Sequence, residues 1–167
     1  MRLSLLRHGI AADRASPEYE NDSERPLTPK GERRMWRIAK GIQASGLSYD
    51  LILSSPYLRA KQTAEIVAQV LSTPEGVLLV ETLTPEGNPR QLIEALRTDH
   101  REREDVLLVG HEPYLSRLIS TLLTGGPNLS VVMKRGGVCA LDVETLRFGR
   151  CASLVSLLGP RQLRRLI

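Results

Sequence analysis

The chain has 167 residues, 41% hydrophobic and 25% charged, which fits one soluble globular domain over 1–167 and excludes a low-complexity or disordered polymer. Its net charge of +4 comes from 23 basic residues, only four of them lysine (30, 40, 61, 134), so its cations are mostly forked guanidinium groups suited to phosphate and carboxylate. Aromatic content of 4%, with no basic stripe interleaved, argues against nucleic acid as a partner, and the apolar run Leu3 to Leu6 is too short for a leader or a membrane span.

The predicted elements alternate between strand and helix. The first strand, Leu3 to Leu6, ends in Arg7-His8-Gly9, an odd way to finish a buried strand. A polar stretch from Asp13 to Asn21 reads as a loop. A helix is expected from Thr28, with Pro29 at its first position and Met35, Ile38, Ala39 and Ile42 on one face, stopping near Gly46. The second strand, Asp50 to Leu53, runs into Ser54-Ser55-Pro56, where Ser55 reads as the cap of a helix burying Ala60, Ala64, Val67, Ala68 and Leu71.

A short third strand spans Val77 to Val80. Asn88-Pro89-Arg90-Gln91 reads as a capping box opening a helix that buries Leu92, Ile93 and Leu96. The strand Val106 to Val109 leads into Gly110-His111-Glu112-Pro113 and a helix begun by Pro113, closed by Gly125-Gly126-Pro127. Finally, Gly137 to Val143 and Cys151 to Leu157 flank a turn at Arg147 to Gly149, an antiparallel hairpin at a sheet edge. The fold class that follows is α/β. It is a three-layer α/β/α arrangement whose central, mostly parallel sheet is flanked by helices and edged by the C-terminal hairpin. Cys139 and Cys151 would not face each other in that hairpin and read as free thiols of a cytoplasmic protein, and no spaced His or Cys cluster suggests a metal.

In an open α/β sheet the carboxyl ends of the strands line the ligand crevice. Three basic strand ends therefore predict one basic pocket built from Arg7, His8, Arg59 and His111. That set suits a phosphoryl group, whose chemistry is mostly positioning and charge neutralisation. Arg7 and Arg59 can each offer two parallel N–H donors, and Arg59 falls in the first turn of its helix, where the dipole favours an anion. His8 can attack phosphorus through one ring nitrogen if the other is held by a hydrogen bond. Gly9 is expected to let the backbone pass close to the substrate, and His111 to donate to the phosphoryl oxygens. Arg25 either orients a loop over the pocket, contacts the substrate, or forms a surface ion pair. His100, in a charged run, is given no role.

Leu6-Arg7-His8-Gly9, Arg25-Pro26-Leu27-Thr28-x-x-Gly31, Ser54-Ser55-Pro56-x-x-Arg59-Ala60-x-Gln62-Thr63-Ala64 and Gly110-His111-Glu112-Pro113 together resemble the histidine phosphatase superfamily, and within it the small SixA-type phosphohistidine phosphatases. The resemblance implies that His8 is the phosphorylated nucleophile and that Arg7, Arg59 and His111 hold the phosphate, without a metal or other cofactor. It further implies a phosphorylated histidine phosphotransfer domain as partner and inorganic phosphate as product. Superfamily members acting on phosphate esters usually carry an acid after the third strand. Here Thr82 aligns with that position, leaving Glu81 as a possible proton donor and Glu86 as another.

A doubtful acid has a chemical reading. An alkoxide leaving group is very basic, with water's pKa of ~15.7 as a guide, whereas an imidazole leaves a P–N bond with a conjugate-acid pKa of about 6.5. The expected function is thus a phosphohistidine phosphatase. The alternatives are a small-molecule phosphomonoesterase or mutase-type phosphotransferase, and, in another class, a phosphate-binding regulatory module without turnover.

Overall fold

Strand residues that are apolar at successive positions need cover on both faces, and this requirement sets the layering. In the computed structural model, which describes all 167 residues, six strands form one sheet. They are β1 (Arg2–Arg7), β2 (Leu51–Ser54), β3 (Val77–Leu79), β4 (Asp105–Gly110), β5 (Val138–Val143) and β6 (Ala152–Leu158). Their order is β3-β2-β4-β1-β5-β6. The first four run parallel, while β5 is antiparallel to β1 and β6 to β5. The five helices are α1 (Pro29–Ala44), α2 (Leu58–Leu71), α3 (Pro89–Asp99), α4 (Tyr114–Thr124) and α5 (Pro160–Leu163).

Alternation along the strands divides the core. Leu3, Leu5, Leu51, Leu53, Val106 and Leu108 point to the face covered by α3 and α4. Leu6, Ile52, Leu107 and Val109 point to the face covered by α1, α2 and α5. The mostly parallel sheet between helical layers, edged by the C-terminal hairpin, is the architecture expected from the sequence. No helix is long and apolar enough to cross a membrane.

Local signals explain most boundaries. Thr28 caps α1, its hydroxyl accepting from Gly31 N at 2.9 Å, and Met35, Ile38, Ala39 and Ile42 are all buried. Gly46 (φ +82°) and Gly125 (φ +92°) adopt the left-handed conformation just beyond α1 and α4. Cys139 and Cys151 are unpaired, since Cys139 lies opposite Leu157.

Some expectations change. α2 begins at Leu58 rather than beside Ser55, with no side-chain cap, and the buried Ser55 hydroxyl is engaged by His111 instead. Pro113 precedes α4 instead of opening it. Asn88 does cap α3, accepting from Arg90 N at 2.9 Å and Gln91 N at 3.4 Å, but no reciprocal arm from Gln91 closes a capping box. Ala68 and Leu71 are half-buried.

Candidate active site

Register brings the strand ends level. In the order β2-β4-β1, Val109 of β4 pairs with Leu6 on one side and Ser54 on the other, and Arg7 pairs with Gly110. The next residues continue the ladder: His8 N donates to Gly110 O at 3.1 Å and Ser55 N to Val109 O at 3.0 Å. Ser55, His111 and His8 therefore stand in a row where three parallel strands end. The rings of His8 and His111 are 5.1 Å apart between centroids.

A cavity of about 760 Å³ opens over this row, lined among others by Arg7, His8, Arg25, Tyr57, Arg59 and His111. A larger cleft of about 900 Å³ lies at the opposite end of the strands, against Met1, Arg2 and Asp105. Strand ends and chemistry favour the smaller one.

His8 is 8% exposed at the foot of the cavity. Its Nδ1 lies 2.7 Å from Gly9 O. A carbonyl can only accept, so Nδ1 carries the proton and Nε2 presents its lone pair. That lone pair accepts from Arg59 Nε at 3.3 Å. Burial, with the nearby Arg59, Arg7 and Arg135 cations, pushes the ring's pKa down to about 3, the Gly9 carbonyl opposing. His8 is thus a neutral imidazole, the form a nucleophile needs.

Arg59, 3% exposed, is fixed by the loop between β1 and α1. Its Nη1 donates to Asp22 O at 2.6 Å and its Nη2 to Asp22 Oδ2 at 2.7 Å. The other oxygen of that carboxylate accepts from Arg25 Nε and Nη2 at 2.9 and 2.6 Å, while Arg25 Nη1 donates to Ala12 O at 2.7 Å. Although partial burial opposes it, hydrogen bonds from Arg25 and Arg59 hold the Asp22 carboxyl below its usual range, so it stays ionised. Arg25 thus forms an ion pair with Asp22, ties that loop to Ala12 O and also lines the cavity. Arg7, which lines the cavity, is anchored by Nη1 donating to Met133 O at 2.8 Å.

His111 is 2% exposed, with Nε2 2.8 Å from Ser55 Oγ and a buried Nδ1 without a partner. Burial first, then the neighbouring His8 and Arg59, lowers its pKa to about 3, against the pull of Asp22. Ser55 also accepts from Tyr57 N at 3.3 Å. Fully buried behind the cavity lining, it supports His111 rather than capping α2 as read from the sequence.

Two expected residues are placed differently. Gly9 does not line the cavity; a Cβ there would lie 2.6 Å from Met35 Cγ, so its small size serves packing of the loop against α1 rather than substrate approach. Its backbone matters instead, the carbonyl holding His8 and the amide donating to Thr63 Oγ1 at 3.1 Å. Glu81 is exposed in a 3-10 turn outside the lining, whereas Glu86 lines the cavity and accepts from Tyr57 Oη at 3.3 Å. Residue types alone did not reveal Asp22, Tyr57, Arg14 or Arg135, all of which line the cavity. Asp22 lay one residue past a stretch read only as a loop, three before Arg25. The i, i+3 pairing of opposite charges was its one available signal.

Comparison with known proteins places the chain in a family. Residues 3–82 match the family model of the histidine phosphatase superfamily (branch 1). The chain is 33% identical over 127 residues to the phosphohistidine phosphatase SixA of Escherichia coli, covering 75% of this chain and 76% of that protein. A solved structure of the protein histidine phosphatase SixA with tungstate superposes with a TM-score of 0.82 at 27% identity, covering 98% of this chain and 99% of that one. The α-ribazole phosphatase of Shigella flexneri shares the fold, with a TM-score of 0.70 at 22% identity over 96% of this chain and 97% of that one. With its fold and its sequence agreeing, this chain belongs to branch 1 of the histidine phosphatase superfamily, among the phosphatases resembling SixA.

Proposed function

We propose that this phosphatase removes phosphate from histidine on phosphotransfer proteins, through a covalent phospho-His8 intermediate and without a metal, and that residues 1–167 act as one domain in the cytoplasm. The observation that carries the reading is His8 itself: neutral, with Nδ1 tied to Gly9 O and the Nε2 lone pair facing the cavity beside Arg59.

In the first step the substrate ring, protonated by solvent on the nitrogen that does not bear phosphate, leaves as neutral imidazole as the P–N bond breaks and His8 Nε2 forms its bond to phosphorus. In the second, water attacks phospho-His8 and releases inorganic phosphate with His8 restored. Arg7 and Arg59 neutralise the equatorial oxygens. His111, whose Nε2 is held against Ser55 Oγ and whose buried Nδ1 has no protein partner, serves as donor to the charge building on phosphorus in the tautomer that carries its proton on Nδ1. A leaving imidazole with a conjugate-acid pKa of about 6.5 needs little help from an acid.

A second reading, a small-molecule phosphomonoesterase, draws support from Glu86, a side chain in the cavity lining whose protonated carboxyl form would give its proton to an alkoxide leaving group. One assay separates the two. The protein is incubated with a phosphohistidine-loaded phosphotransfer domain, with p-nitrophenyl phosphate and with phosphoglycerates. The phosphotransfer domain should be turned over fastest, in an EDTA-insensitive and His8-dependent reaction. A trapped adduct should be acid-labile and base-stable. Preferred turnover of phosphoglycerates would overturn the reading, and no His8-dependent turnover would point to a binding module.

A further inference from the structure

Beside the catalytic cavity lies a second one of about 430 Å³, and the two share Pro85 and Pro113 as a common ridge. Arg90 of α3 and Arg117 of α4 line it, and no acidic residue does, so its formal charge is wholly positive. The Arg90 guanidinium lies over the Phe148 ring, 4.3 Å from its centroid, which fixes its direction before any ligand arrives. Tyr114, only 7% exposed, lines the same groove and keeps its hydroxyl buried without a hydrogen-bond partner. None of these four side chains belongs to the catalytic cavity.

Volume argues about the occupant. Pockets of roughly 300–1,000 Å³ take whole drug-sized ligands, so the catalytic cavity alone suffices for a small phosphate ester. An adjoining cationic groove is space that only a larger substrate reaches. Its charge asks for a carboxylate, and its aromatic and proline walls ask for the apolar stem that carries one.

We propose that this groove receives the polypeptide next to the phosphohistidine of a protein substrate, and that Arg90 and Arg117 select an acidic side chain there. The assignment rests on the phosphohistidine reading above. It makes the phosphatase selective between phosphohistidine proteins through residues that take no part in the chemistry.

The test uses two phosphohistidine peptides, identical except for paired glutamates or paired lysines flanking the phosphohistidine, with phosphoramidate as a substrate too small to reach the groove. The wild-type protein should favour the glutamate peptide by about tenfold or more in kcat/KM, mainly through KM. The Arg90→Glu/Arg117→Glu variant should reverse that order while its phosphoramidate turnover stays within about twofold. Equal use of both peptides by the wild type, or an unchanged preference in the variant, would overturn the groove but leave the function intact. A parallel fall in phosphoramidate turnover would also overturn it, by showing that the arginines support the catalytic cavity. Selective loss of p-nitrophenyl phosphate turnover in the variant would reassign the groove to small leaving groups. If the wild type cleaves phosphoramidate but neither peptide, the phosphohistidine reading itself fails, and the groove assignment falls with it.

Discussion

At the scale of residues, the site is a set of charges whose protonation is fixed by burial and by single hydrogen bonds. His8 and His111 are neutral because desolvation outweighs everything else acting on them, each ring being pushed down to about 3. An NMR titration should therefore show both imidazoles unshifted between pH 8 and pH 5, and a midpoint near the ordinary histidine value for either would contradict the structure. Asp22 balances the buried Arg59. Removing one partner of a buried ion pair strands the other charge, and with Asp22 partly exposed the discounted cost is about 2 kcal/mol. Asp22→Ala should lower urea stability by that amount, while Asp22→Asn, which keeps an acceptor, should cost less. Arg59→Lys keeps the charge but loses the fork, and should reduce kcat/KM by about 100-fold as measured with p-nitrophenyl phosphate.

At the scale of elements, α2 works as a clamp on the β1 exit. Thr63 Oγ1 accepts from Gly9 N and donates to Arg59 O at 2.7 Å, so one hydroxyl joins the loop after His8 to the turn carrying Arg59. One residue earlier, Gln62 Oε1 accepts from Leu27 N at 2.7 Å and ties down the approach to α1. Thr63→Val preserves shape and leaves the buried Gly9 amide unpaired, so it should cost about 1–3 kcal/mol in chemical denaturation and slow turnover as well. Gly31, in the first turn of α1, is constrained by space: a Cβ there would fall 2.0 Å from Ile10 O. Gly31→Ala should destabilise the protein more than Thr28→Ala, for which the loss of one N-cap costs about 1 kcal/mol, and thermal melts of the two variants would rank them.

Much of this level was legible in the sequence. The Thr28 cap, the apolar face through Met35 and Ile42, and the hairpin opposite Cys139 all follow from spacing and cap chemistry. Ser55 was misread because a serine before proline has the same local signature whether it caps a helix or supports a histidine on the neighbouring strand. Gly9 was misread because sequence shows that a side chain is missing but not which neighbour requires its absence. Here the neighbour is Met35, 26 residues away in sequence.

At the scale of the whole molecule, burying two neutral histidines makes stability depend on pH. Between pH 6.5 and 3 the unfolded chain binds protons that the folded chain does not, so stability rises with pH through that window and falls on acidification. Moving from pH 7.5 to 5 should cost up to about 2 kcal/mol per histidine, and His8→Gln should flatten the dependence in urea titrations.

What the sequence determined by itself was the alternation of strand and helix and the identity of Arg7, His8, Arg59 and His111. Periodicity, capping and the oddity of charged residues after apolar runs are local signals. What only the tertiary structure decided was the support of those four: Asp22 against Arg59, Ser55 against His111, Glu86 rather than Glu81 in the cavity, and the groove of Arg90 and Arg117 alongside. Each depends on segments distant in the chain that meet only after strand register brings the ends of β1, β2 and β4 level. Register is set by the summed packing of two core layers, and no short stretch of sequence contains it.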